Sequence, residues 1–84
     1  MPSLSAADLD VRELAISRGL KSLANLAREA GHSRSSADWM QSGSPPTKRL
    51  LEDYCRALGV KPSRLLKAIE CARERRAARL GRVN

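Results

Sequence analysis

The side chains best suited to recognition are gathered in one short run. Between Leu23 and Gly43 the chain reads Leu-Ala-Asn-Leu-Ala-Arg-Glu-Ala-Gly-His-Ser-Arg-Ser-Ser-Ala-Asp-Trp-Met-Gln-Ser-Gly. Within it Ser33, Arg34, Ser35, Ser36, Asp38 and Trp39 combine donors, acceptors and one flat indole at helical spacing. Such a set can match hydrogen-bonding edges on a partner. Bond-breaking chemistry has no comparable foundation. His32 is the only histidine and reads as a turn residue, with no Ser-His-Asp or Cys-His arrangement around it. No glycine loop cradles phosphate and no carboxylate cluster marks a metal. Cys55 and Cys71 are too few ligands for structural zinc and read as buried, reduced thiols. The expectation is a protein with no enzymatic activity, no metal and no cofactor.

Charge points to the kind of partner. The 84 residues carry 16 Lys plus Arg against 9 Asp plus Glu, a formal charge of +7. That excess attracts polyanions, nucleic acid first and anionic membrane second. No apolar run approaches the roughly 20 residues of a membrane span. Met1 to Asp10 has neither the basic start nor the apolar stretch of a secretory signal, so a cytoplasmic location is expected.

The elements that must hold these residues read as helices throughout. There is no Phe, with one Trp and one Tyr, so Leu, Ile, Val, Ala and Met must build the core. Leu and Ala favour helix and β-branched residues are sparse. Ser5 and Asp8 form a capping-box pattern that would open helix 1, about Ala6 to Arg18. Ser22 can cap helix 2, Leu23 to Ala30, and Gly31 follows its end. Ser33 can cap helix 3, Arg34 to Gln41. Gly43-Ser44-Pro45-Pro46 is the strongest break in the chain. Helix 4 follows from about Thr47 to Leu58, and Pro62 opens helix 5. The fold class expected is all-α, one domain of about five helices over residues 1–84. Residues 72–84 form a basic extension that either continues helix 5 to about Leu80 or frays.

Small Ala27 sits where helices 2 and 3 would cross, with Leu26, Ala30, Ala37 and Met40 facing inward. This is the layout of a helix-turn-helix, whose second helix enters the DNA major groove. With this punctuation the chain from about Leu14 to Leu66 resembles the Xre, or Cro/repressor, family of prokaryotic helix-turn-helix regulators. The marks are Leu26-Ala27, Gly31, Ser33, Ala37, Met40 and Gly43, then Pro46, then Ala57-Leu58-Gly59-Val60 leading to Leu65-Leu66. The chain departs from the family at Leu23, often Gln there, and at His32, usually apolar there. More loosely, its size and charge are similar to small plasmid repressors of the KorC type. The resemblance implies a compact, lambda-repressor-like bundle.

In the family the start of the recognition helix and the position one turn later read bases. Carried over, these are Arg34, Ser35 and Trp39. Arg34 can donate two hydrogen bonds to guanine. Asp38 would be repelled by phosphate, and either accepts from a cytosine amino group or pairs with Arg34 at i+4. Trp39 has two readings, core packing or surface contact with a thymine methyl or the sugar-phosphate wall. The expected phosphate contacts are Lys21, Ser22, Arg28, Ser33, Ser36, Lys48 and Arg49. Lys48 and Arg49 stand at a helix N-terminus, where the macrodipole disfavours cations, which points to an external anion. One short helix reads only a few base pairs, so a homodimer on a palindromic operator is expected. Its interface is placed on helix 5 at Leu65, Ile69, Ala72 and Leu80, with the arginines outward. The function expected is a sequence-specific transcriptional repressor. Two other readings stay open: an antitoxin of the same fold, and a protein-interaction module that has lost DNA binding.

Overall fold

The structure, a computed structural model, describes residues 9–81, with side chains as far as Arg79. Five helices follow one another: α1 (Val11–Ser17), α2 (Leu23–Ala30), α3 (Arg34–Gln41), α4 (Lys48–Leu58) and α5 (Pro62–Gly81), with no strand among the described residues. The all-α expectation holds, and the bounds of α2 and α3 fall where Ser22, Gly31 and Ser33 place them.

Helix 1 corrects the sequence reading. Asp10 is extended and caps the helix, and Glu13 completes a reciprocal capping box. Asp10 Oδ1 accepts from the Glu13 N–H at 2.9 Å, while the Asp10 N–H donates to Glu13 Oε1 at 3.1 Å. Both bonds satisfy first-turn donors that would otherwise have no partner. Helix 1 therefore does not run through Leu9 and Asp10. Ser5 and Asp8 lie outside the described residues. At the start of α4, Thr47 is the cap rather than the first helical residue, its hydroxyl accepting from the Leu50 N–H at 3.2 Å.

The core is filled by Val11, Leu14, Leu26, Met40, Tyr54, Leu58 and Leu65, each at most 2% exposed. With no Phe available, buried Tyr54 is the core's aromatic. Helix α2 packs on α3 and α4, and α5 lies across α1, α3 and α4. Arg18 joins the ends of two helices by donating from Nε to the Leu58 carbonyl at 2.8 Å. A cation at the C-terminus of α4 satisfies an orphan carbonyl and complements the macrodipole.

The first residues of the basic extension are part of this packing. Ala72 is 4% exposed. Arg75 donates to Asp10 Oδ2 at 3.1 Å and to Glu13 Oε1, tying α5 to the cap of α1. The bond to Glu13 is the main cause that raises the Arg75 pKa above its ordinary value. Arg73 passes so close to Gly43 that a Cβ there would lie 2.7 Å from the Arg73 Cα. Gly43 also has φ +94°, so the α3–α4 loop depends on glycine twice over. The expectation that the arginines all face outward thus fails for Arg75.

Candidate nucleic-acid interface

The turn between α2 and α3 is fixed by local chemistry. Gly31 is left-handed with φ 77°. The N–H groups of Gly31 and His32 bond back to the carbonyls of Arg28 and Ala27 at 3.1 and 2.9 Å. This closes α2 and sends the chain into α3 without a Cβ clash. Ser33 occupies the N-cap position of α3, but its side chain makes no capping hydrogen bond, contrary to expectation.

Helix α4 braces that turn from beneath. Buried Tyr54 hydrogen-bonds Ser36 through its hydroxyl. Its ring stacks against His32, centroids 5.5 Å apart at 20°. His32 Nε2 in turn meets Asp53 Oδ2 at 2.7 Å. Burial raises the Tyr54 pKa, opposed by the Ser36 bond and aided by the charge of Asp38. The hydroxyl therefore keeps its proton and donates it to Ser36 Oγ, whose own proton goes to the Ser33 carbonyl. His32 is a turn residue as expected, but it is also the link between the turn and α4.

The brace leaves one face of α3 outward. Ala37 and Met40 are 0% exposed, whereas Trp39 is 55% exposed. Arg34, Ser35 and Asp38 are exposed beside it. Arg34 Nε and Asp38 Oδ2 stand 3.7 Å apart with side chains 69% and 55% exposed. A pair so open to water is weak and exchanges readily for other partners. Trp39 is anchored, its Nε1 donating to the Pro45 carbonyl at 3.2 Å. With Ser33, Ser35, Ser36, Pro45, Thr47 and Leu50 it lines a depression of about 320 Å³. An exposed α-helical face that carries an arginine, hydroxyls and a fixed aromatic plane fits base edges and methyl groups in a major groove. Residues 10–70, most of the chain, match the family model described as the Cro/C1-type HTH DNA-binding domain.

The chain belongs to that family.

No curated protein and no solved structure matches it. The family membership makes α2 and α3 a DNA-binding helix-turn-helix, with α3 as its second helix. Of the expected base contacts, Arg34, Ser35, Asp38 and Trp39 all lie together on the outer face of this helix. Trp39 follows the surface reading rather than the core one.

The expected phosphate contacts divide. Lys21, Arg28, Lys48 and Arg49 are exposed. Ser22 Oγ accepts from the Asn25 N–H at 3.2 Å, which leaves its own proton free to donate. Ser36 is different. Its Oγ donates to the Ser33 carbonyl at 2.7 Å and bonds Tyr54 besides. A hydroxyl has one proton, and phosphate oxygens only accept, so in this arrangement the Ser36 proton is taken up by the Ser33 carbonyl and the side chain fixes the first turn of α3. Leu23, where the family often has Gln, is 9% exposed and packs into the core.

The expected dimer residues need correction. Leu65, Ile69 and Ala72 are 0%, 4% and 4% exposed, enclosed by the chain's own helices. Side chains so enclosed by their own core offer little surface to a second copy, Ile69 reaching only the floor of a groove beside Leu66. The side chain of Leu80 lies outside the described residues. Among the described side chains of α5, the large apolar one left open is Leu66, 46% exposed. Two positioning elements are not apparent from the sequence, the Tyr54–Ser36 bond and the Asp10–Gln41–Arg75 link. Gln41 accepts from the Arg12 N–H at 2.9 Å and donates to Asp10 Oδ2 at 3.1 Å, fixing the end of α3 to the start of α1. A lone tyrosine in a chain this poor in aromatics is the available signal for the first. No local pattern signals the second.

Proposed function

We propose that this protein is a transcriptional repressor that inserts α3 into the major groove of an operator and binds it as a homodimer. The observation that carries this reading is the division of α3. Its inner face is locked by Ala37, Met40 and the Ser36–Tyr54 bond, while Arg34, Ser35, Asp38 and Trp39 stand open on the other side. Arg34 reads a guanine, and Trp39 lies on a thymine methyl or a sugar. Ser22, Lys21, Lys48 and Arg49 hold backbone phosphates on either side of the motif.

A second copy doubles the sequence read. The surface that suits it is around Leu66, in a groove of about 210 Å³ shared with Pro45, Pro46, Glu70 and Arg73. Across a two-fold axis, Glu70 of each copy would face Arg73 of the other around paired Leu66 side chains, a self-complementary arrangement.

Selection of bound duplexes from a random library tests this reading. The expected product is a two-fold-symmetric site with half-sites about 10 base pairs apart. Recovery of no preferred sequence would overturn it, and recovery of a single asymmetric half-site would remove the homodimer.

A further inference from the structure

One charged surface of the protein has no role in these contacts. Along α5, Ala72, Arg75, Arg76 and Arg79 fall on one helical stripe and line an open cleft of about 440 Å³. The opposite wall comes from the end of α3, with Asp38, Gln41 and Ser42, and from Asp10. The two acids of the cleft are engaged to different degrees, Asp10 firmly and Asp38 only through an open pair. Asp10 is held by Arg75 and Gln41, and Asp38 stands beside Arg34. Arg76 and Arg79 are exposed and form no ion pair among the described residues. Two guanidinium groups without an ion-pair partner among the described residues therefore stand against the flank of the recognition helix.

The location gives them a use. A helix about 10–12 Å across fills a major groove of about 12 Å, so phosphates of both strands lie just beyond its two flanks. One flank of α3, through Ser35 and Trp39, borders Thr47 and the start of α4 with Lys48 and Arg49. The other flank, through Asp38 and Ser42, borders Arg76 and Arg79. We infer that Arg76 and Arg79 form a second phosphate wall, gripping the DNA strand opposite the one met by the start of α4. This rests on the reading of α3 as the groove-entering helix. The contact is to backbone and not to bases, so it raises affinity for all duplexes and leaves sequence preference unaltered. Arg75 acts differently. By holding Asp10 and Glu13 it fixes α5 at the distance where the next two arginines reach past α3.

The test is the salt dependence of binding by the full chain. The probes are the duplex that the wild-type protein enriches from a random library and a scrambled duplex of the same length. Arg76→Gln with Arg79→Gln is compared with Arg56→Gln with Lys67→Gln, an equal loss of charge at exposed positions outside the cleft. Glutamine retains helix propensity, so α5 should stay intact, and circular dichroism checks it. Each lost phosphate contact removes about 0.9 from the slope of log K against log salt. The expected result is a slope shallower by roughly 3–4 for a dimer in the first variant, on both duplexes, with the control pair close to wild type. An unchanged slope, or equal changes in both variants, would overturn the inference. So would titration with inorganic phosphate alone that shifts the Arg76 and Arg79 side-chain resonances while the DNA slope stays put, since that marks a small-anion site. If the wild type enriches no sequence, the failure lies with α3; if it enriches one and the slope does not move, it lies with these arginines.

Discussion

Tyr54 is the residue on which the recognition helix rests. It is 0% exposed, yet its hydroxyl ends on Ser36 in the first turn of α3 and its ring lies on His32 in the turn before it. Tyr54→Phe keeps the ring and removes the bond. It should cost about 1 kcal/mol in stability, read by urea denaturation, because Ser36 retains its bond to Ser33. Ser36→Ala should lower stability by a similar amount and weaken DNA binding only through the looser helix; a large, salt-dependent loss would return Ser36 to the phosphate contacts. The same burial has a pH consequence. The pKa values of Cys55 and Tyr54 are both raised, from 9.0 and 10.0, because burial disfavours their anions. Above those values the unfolded chain releases protons that the folded chain retains, so stability falls as pH rises. Thermal melts should show a decline that begins above about pH 9, and Tyr54→Phe should remove its upper part. Stability that is flat up to about pH 11 would contradict the burial of these two groups.

At the scale of elements, the decisive positions are those where helices meet. Gly43→Ala should be strongly destabilising. Its left-handed backbone alone costs about 1–2 kcal/mol with a side chain, and the added Cβ would overlap the Arg73 backbone. Removal of residues 72–84 should lower the melting temperature, since Ala72 packing and the Arg75 links to Asp10 and Glu13 go with it. An unchanged melt would place the extension outside the fold. These elements also show what the sequence could and could not disclose. The bounds of α2 and α3 are legible because Ser22, Gly31 and Ser33 act locally, within a turn or two of chain. Helix 1 is misplaced because Ser5/Asp8 and Asp10/Glu13 share one spacing, and a spacing alone does not decide which pair caps. The stripe Leu65, Ile69 and Ala72 is legible as apolar, but periodicity says only that a face is covered, not whether the same chain or a second copy covers it. Arg75 pairs with residues 62 and 65 positions away, and no pattern along the chain reports so distant a contact.

At the scale of the whole chain, the dominant property is its excess of basic residues. No helix among the described residues is long and apolar enough to cross a membrane. With a formal charge of +7, binding to duplex DNA should weaken steeply as salt is added. In a dimer, Lys21, Lys48 and Arg49 would neutralise about 6 phosphates and give a slope of about −5, and Arg76 and Arg79 would bring it to about −9. Dimer formation itself is expected to depend on Leu66. Leu66→Glu places a charge on an exposed side chain, so folding should persist while sedimentation shifts to the monomer; a dimer that survives would move the interface away from this groove.

Whether the outer face of α3 reads sequence is tested most directly at Arg34. The measurement is the affinity of wild type and Arg34→Ala for the enriched duplex and for its scrambled counterpart at one salt concentration. The expected result is that the enriched duplex loses about 1–3 kcal/mol per half-site while the scrambled duplex changes little, so the specificity ratio collapses. Equal losses on both duplexes would make Arg34 a phosphate contact, and no loss on either would contradict the placement of α3 in the groove.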